Sequence, residues 1–233
     1  MVLQLKSIDL LRKSLKKIPV IKKIIDLKSA LIRHRLKSNL VKNGREILVQ
    51  SVGILESINV NYWLDYGTLL GAIRNKGFIK GDGDIDLGID IKEDIDRIIK
   101  SFKDNGFKLY CYYHVSDESL GRIVSLKKKG IILDLYNYTI SENEMSCTIY
   151  EQEGCESNDE YYRIHNTLKV YYLLFDFEIE TVDYSLFDIN VKIPKNYEEY
   201  LTTIYGSDYM VEKSSWTGSL NKKLVPEYKA KIR

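Results

Sequence analysis

Of all the segments in the chain, Gly81-Asp82-Gly83-Asp84-Ile85-Asp86-Leu87 most restricts what it can fold into. Asp82, Asp84 and Asp86 alternate, and Ile85, Leu87 and Ile89 fall between and after them. A period of two belongs to a strand: it sets the carboxylates on one face, ~6–7 Å apart per step, and the aliphatic side chains on the other. Three like charges on one face repel each other unless a cation sits among them. Hard divalent ions favour carboxylate oxygens, and such ions serve phosphate chemistry. The spacing therefore predicts a core strand over Ile85–Ile89 that carries a metal-binding edge. A calcium loop shares this alternation, with Glu93 at its closing position, but Leu87 stands where that loop needs glycine.

Upstream, Asn61-Tyr62-Trp63-Leu64-Asp65-Tyr66 predicts a short strand, Gly67 a turn, and Thr68 the cap of a helix from Leu69 to about Asn75. The free N–H groups and dipole of a helix start favour an anion. Gly67 allows close backbone approach, Thr68 offers a hydroxyl, Arg74 a fork of donors and Lys76 a point charge, so all four are candidates for holding a phosphate. Downstream, Asp134 lies in the apolar run Ile131–Tyr138, where a lone carboxylate is costly. If that strand neighbours Ile85–Ile89, Asp134 completes the cluster as a metal ligand or as the base for an attacking hydroxyl.

Charge is divided along the chain. Residues 1–42 carry twelve Lys and Arg against Asp9 and Asp26, a local charge of +10, which leaves the remainder at −8. The expected organisation is a basic helical arm over 1–42 and one catalytic domain over 43–233. Leu11, Leu15 and Ile18 recur at helical spacing, Pro19 interrupts, and Ile21, Ile24, Ile25 and Leu31 continue the pattern. A basic amphipathic arm of this kind fits an anionic membrane surface through residues 1–38, or else packs on its own domain. Nucleic acid is not expected, because no aromatic residue is interleaved with these charges for base stacking. No apolar run approaches the ~20 residues a membrane-spanning helix needs, and the N-terminus lacks a secretory signal pattern. Cys111, Cys147 and Cys155 form no C-x-x-C pair, which argues against a disulfide framework or a four-ligand zinc site. The expected location is cytoplasmic, peripheral on the inner face of the membrane.

Helices are predicted over 43–58, 92–104 and 195–205 (the last opened by Pro194), and strands over 107–114, 122–126, 131–138, 168–179 and 189–193. Residues 151–160 read as a loop. This order predicts an α+β fold with a small mixed sheet flanked by helices. The 18 tyrosines read mostly as strand residues, with Tyr209 and Trp216 undecided, and His34, His114 and His165 show no ligand spacing.

The segment LDYGTLLGAIRNKGFIKGDGDIDLGI closely resembles the core motif of the LicD/fukutin-related family, and ILDLYNY and IPKNYEEYLTTIYGSDYM resemble it more loosely. The resemblance implies a polymerase-beta-like nucleotidyltransferase fold. It also implies transfer of a phosphorylated alcohol (phosphocholine, glycerol phosphate or ribitol phosphate) from a CDP-linked donor to a hydroxyl of a cell-surface glycan or its lipid-linked precursor, such as capsule, teichoic acid or lipopolysaccharide. Asp84 and Asp86 fall on the family's metal-binding pair for Mg²⁺ or Mn²⁺, Asp82 on the preceding carboxylate, Asp134 on the third catalytic carboxylate, and Thr68 and Arg74 on the motif's Thr and Arg. Where the family has Pro-Trp-Asp-Asp-Asp, this chain has Lys80-Gly81-Asp82-Gly83-Asp84, which keeps every alternate carboxylate. Two other readings use the same residues differently: a nucleotidyltransferase moving NMP from an NTP to a hydroxyl, and a non-catalytic membrane- or partner-docking module.

Overall fold

The structure, a computed structural model, describes residues 19–115, 120–151, 167–213, 221–226 and 230–232, with Tyr162, Ser219 and Tyr228. Helix α1 runs unbroken for 39 residues, from Pro19 to Ser57. Pro19 is the first residue of this helix as described, and a missing N–H costs nothing at a first helical position. The helix expected over 43–58 is the C-terminal part of α1, so residue 42 lies inside one element. Asn43-Gly44 does not stop the helix because Gly44 makes room for a neighbour: a Cβ there would lie 2.7 Å from the Phe78 ring. Leu40, Ile47, Leu48, Val52 and Leu55 form the buried stripe of α1 at helical spacing. The part of the arm over residues 1–18 lies outside the described residues.

Strand β1 (Tyr62–Leu64) leads into helix α2 (Tyr66–Asn75), strand β2 (Asp84–Asp90) and helix α3 (Ile95–Asp104). The Asp94 side chain caps α3, and Gly106 follows its end at φ +83°. Strands β3 (Lys108–Val115), β4 (Arg122–Lys128), β5 (Ile131–Ile140), β6 (Met145–Glu151) and β7 (Lys169–Phe175) form an antiparallel series. A β8–β9 hairpin (Thr181–Leu186, Ile189–Pro194), helix α4 (Tyr197–Tyr205) and short strands β10 (Lys222–Leu224) and β11 (Ala230–Ile232) complete the described elements. Asn196, not Pro194, sits at the N-terminus of α4; Pro194 ends β9.

This is the expected α+β class. The main sheet has nine strands in the order β10-β7-β6-β5-β4-β3-β11, with β2 joined to β5 and β1 to β2. β2 pairs in parallel with β5 over Asp84–Asp90, and this register sets Asp86 beside Asp134. The sheet curls, since Leu168 beyond β7 bridges Ala230 of β11, which itself pairs with β3. The core lies between the sheet and the helices: Ile85, Leu87 and Ile89 of β2 and Leu133 and Leu135 of β5 are fully buried. The indole of Trp63 covers Gly88 so closely that a Cβ there would lie 2.2 Å from the ring. β2 is thus held at the centre of the fold: Ile85, Leu87 and Ile89 face one side, while Asp84, Asp86 and the Trp63-covered Gly88 share the other.

Candidate active site

The local build begins at Asp65, where β1 turns into α2. Its carboxylate is fully buried and accepts three hydrogen bonds: Tyr66 N–H and Tyr200 O–H on Oδ1, and Tyr138 O–H on Oδ2, each at 2.7 Å. Trp63 Nε1 donates to the Tyr200 hydroxyl at 3.2 Å. Burial pushes the Asp65 carboxyl up to about 6, with the three hydrogen bonds acting the other way. Asp65 is therefore the cap of α2 and starts the helix a turn earlier than Thr68 would. Thr68 sits within the first turn and is buried, and its Oγ1 accepts the Asp86 N–H at 2.9 Å. The Gly67 N–H donates to Asp86 Oδ2 at 3.1 Å. In this structure both groups expected to hold a phosphate instead hold β2.

Around this clamp the acidic residues gather. Carboxylate oxygens of Asp84, Asp86 and Asp134 lie within 4.8 Å of one another. Ser125, opposite Asp134 in the β4–β5 register, donates its hydroxyl to Asp134 Oδ1. Asp82 flanks the trio, accepts the Gly83 N–H at 2.9 Å and rests against Gly67, where a Cβ would lie 2.5 Å from Asp82 Oδ2. Desolvation is the largest cause of raised carboxyl pKa at all three sites. It acts alone on Asp134, which reaches about 6 against the opposing Ser125 bond. At Asp84 and Asp86, which rise well above the usual range, the neighbouring carboxylates add to it. None of the three has an ion-pair partner among the described residues. Three desolvated, mutually repelling carboxylates from two rigid strands form a donor set suited to a hard divalent cation.

The trio opens into a cavity of about 650 Å³. Arg74, Lys37, Lys80 and Lys213 contribute positive charge to its walls, and Tyr66, Tyr136, Tyr205 and Tyr209 are among its aromatic lining. Arg74 lines the cavity, its guanidinium also donating to the Tyr209 carbonyl at 3.3 Å. Lys76 is not brought to the cavity. It follows the last turn of α2 at φ +54°, and its ammonium donates to the Tyr184 hydroxyl at 2.8 Å. Tyr66 takes the unusual φ of +34° and sets its ring 4.6 Å from that of Tyr136. The Tyr66 and Ser219 hydroxyls are buried beside the cavity without a hydrogen bond of ordinary geometry, and burial pushes the Tyr66 phenol well up, with Ser219 acting the other way. Sequence reasoning missed Ser125, Lys37, Tyr66, Tyr136 and Ser219. Ser125 left one trace, a small polar residue within an apolar strand, whereas Lys37 is one lysine among many in a basic run.

Comparison with known proteins agrees with this geometry. The family described as LicD/FKTN/FKRP, nucleotidyltransferase domain, matches residues 59–196, which contain all four clustered carboxylates. An uncharacterized protein of Rickettsia typhi is 32% identical over 123 residues, 48% of this chain and 40% of that protein. The human ribitol-5-phosphate transferase FKTN is 26% identical over 175 residues, 75% of this chain and 35% of FKTN. The human ribitol 5-phosphate transferase FKRP is 47% identical over 49 residues, 21% of this chain and 10% of FKRP. The chain thus spans well under half the length of these relatives. From Asn59 to Asn196, covering the strands, the capped helix and the clustered carboxylates just described, the chain belongs to the LicD/FKTN/FKRP nucleotidyltransferase-domain family.

Proposed function

We propose that this protein is a metal-dependent transferase that moves a phosphorylated alcohol (phosphocholine, glycerol phosphate or ribitol phosphate) from a CDP-linked donor to a hydroxyl of a glycan or lipid-linked glycan. The observation that carries the proposal is the convergence of Asp84, Asp86 and Asp134 within 4.8 Å at a cavity whose other walls bear Arg74, Lys37, Lys80 and Lys213. An acidic floor and a cationic rim suit a metal-chelated diphosphate. Two of the relatives are named as ribitol-phosphate transferases, which favours the same class of reaction.

Asp84 and Asp86, with Asp134 and Asp82 beside them, are the residues to hold Mg²⁺ or Mn²⁺. When bound, that ion would neutralise donor phosphate charge and polarise the phosphorus under attack. The chain's own residues do the rest. Gly67 N–H fixes Asp86 Oδ2, and Ser125 fixes Asp134 Oδ1, so both carboxylates are oriented before substrate arrives. With its pKa at about 6, Asp134 is mostly ionised at neutral pH, and its Oδ2 accepts the proton of the attacking hydroxyl. The new acceptor O–P bond forms as the bond to CMP breaks, and Arg74 offsets the charge that builds on the departing phosphate. Lys76, turned to Tyr184, has no part in this scheme.

A peripheral position on the inner face of a membrane is part of the same proposal. Among the described residues no helix is long and apolar enough to cross a membrane. Helix α1 does expose Leu27 and Leu31 one turn apart, with Lys23 one turn before Leu27.

The test is substitution of the two strand carboxylates. Asp84→Asn and Asp86→Asn should each lower transfer by at least about a thousandfold with an unchanged circular-dichroism spectrum. Mass spectrometry of products from CDP-choline, CDP-glycerol and CDP-ribitol, with ATP and CTP as controls, reads which group moves. Full activity in either variant removes the metal-clamp mechanism, and adduct masses of a nucleoside monophosphate replace it with nucleotidyl transfer.

A further inference from the structure

We infer that Lys37, delivered by the long N-terminal helix, is a phosphate ligand of the active-site cavity, and that Gly81 and Gly83 serve in this chain to let that helix approach. The identity of the anion as a substrate phosphate rests on the function proposed above. The placement of Lys37 does not, and it lies outside the family match over residues 59–196.

Two observations meet here. The first is steric. Helix α1 lies directly on the turn that precedes β2: a Cβ at Gly83 would be 3.1 Å from Leu36 Cβ, and one at Gly81 would be 3.3 Å from Lys37 Nζ. Gly81 also holds φ +100°, a conformation that L side chains rarely adopt. A residue larger than glycine at position 83 would press on Leu36 and move α1, and one at position 81 would meet the Lys37 ammonium itself, so either would displace Lys37. The second observation concerns charge. Of the four cationic residues lining the cavity, Arg74 already donates to Asn75 and to the Tyr209 carbonyl, and Lys213 pairs with Asp208 at 2.7 Å. Lys37 and Lys80 have no anionic partner among the described residues. Asp82, between the two glycines, flanks the carboxylate trio, and Lys37 Nζ reaches the same turn at Gly81, so acidic and basic groups line one cavity there. A diphosphate spanning metal and rim satisfies both ends, and a compact ammonium suits such an anion as a point charge.

The experiment uses the full chain and titration calorimetry with Mn²⁺ present, first with inorganic diphosphate and then with CDP. Lys37→Ala should weaken diphosphate binding roughly tenfold. Lys37→Arg should restore most of it, and the difference should shrink as salt is raised. Gly83→Val should reproduce the loss through displacement of α1, whereas Lys42→Ala, on the exposed side of the same helix, should leave binding unchanged. If CDP affinity falls with diphosphate affinity, the phosphate belongs to the donor. If CDP affinity holds while KM for a phosphate-bearing acceptor rises, it belongs to the acceptor. Diphosphate binding that ignores Lys37 overturns the inference and spares the proposed function. So does a loss confined to Mn²⁺ affinity, because Lys37 then merely balances the carboxylates. Diphosphate binding that depends on Lys37 without any binding of CDP leaves the inference standing and removes the CDP-linked donor. Absence of all diphosphate binding removes both.

Discussion

Asp65 illustrates how one buried residue can organise a site without touching the reacting groups. Its carboxylate caps α2, ties Tyr138 and Tyr200 together and starts the helix where the Gly67 N–H can reach Asp86. Burial raises its pKa from 3.8 to about 6. A group whose folded pKa is raised contributes stability that is complete below the unfolded pKa and is lost as pH climbs through the folded one. Asp65 alone therefore costs the folded chain ~3 kcal/mol between about pH 4 and pH 6 or slightly above. In Asp65→Asn the amide can still accept from Tyr66 N–H and Tyr200 and donate to the Tyr138 hydroxyl, but it no longer ionises. Denaturant melts of this variant should show a flatter stability profile across that window, by roughly 2–3 kcal/mol. A slope as steep as that of the parent chain would show that Asp65 is not the group titrating. The motif carrying Asp65 was visible in the sequence, yet its role was not. Asp65 sits 73 and 135 residues from Tyr138 and Tyr200, the two phenols that define it.

At the scale of elements, α1 combines two tasks. Its C-terminal half is a core helix, with Leu40, Ile47, Leu48, Val52 and Leu55 packed under the sheet. Farther toward its N-terminus, Leu27 and Leu31 are 61% and 62% exposed. The membrane attachment proposed above would set these two leucines, one turn apart on a basic helix, against an anionic bilayer. The double variant Leu27→Glu/Leu31→Glu should lose vesicle binding by roughly tenfold or more on phosphatidylglycerol-containing liposomes, while its melting temperature changes little. Undiminished sedimentation with liposomes would rule out this face of α1 as the docking surface. The sequence pattern divides this stretch at residue 42, where the basic run ends, and reads Pro19 as an interruption of the arm. In the folded chain Pro19 occupies a position that tolerates it, and Gly44 is required by Phe78. Local signals report what a backbone prefers in isolation, and packing against Phe78 overrode them at Gly44.

For the molecule as a whole, electrostatics links fold and chemistry. The central β2–β5 pair concentrates Asp84, Asp86 and Asp134; burial raises all three pKa values, and the neighbouring carboxylates add to it at Asp84 and Asp86. Without a cation this cluster adds to the loss of stability as pH rises, in the same direction as Asp65. Binding a divalent ion must displace any protons the carboxylates still hold, so affinity should increase with pH. Millimolar Mn²⁺ or Mg²⁺ should therefore raise the melting temperature by several degrees at about pH 8, much less at about pH 5, and not at all in Asp86→Asn. Equal shifts at both pH values, or a shift retained in Asp86→Asn, would place the ion elsewhere. The alternation of Asp82, Asp84 and Asp86 with buried aliphatic residues determined that a central strand would carry an acidic edge, because side-chain alternation follows from backbone geometry alone. The helix after Tyr66 and the α+β order of elements were equally legible, being local. What tertiary structure alone decided was which residues meet that edge: Asp134 and Ser125 through strand register, Lys37 through the approach of α1, and Lys76 withheld by its bond to Tyr184. Contacts between distant segments depend on register and helix docking, and no pattern of neighbours along the chain encodes them.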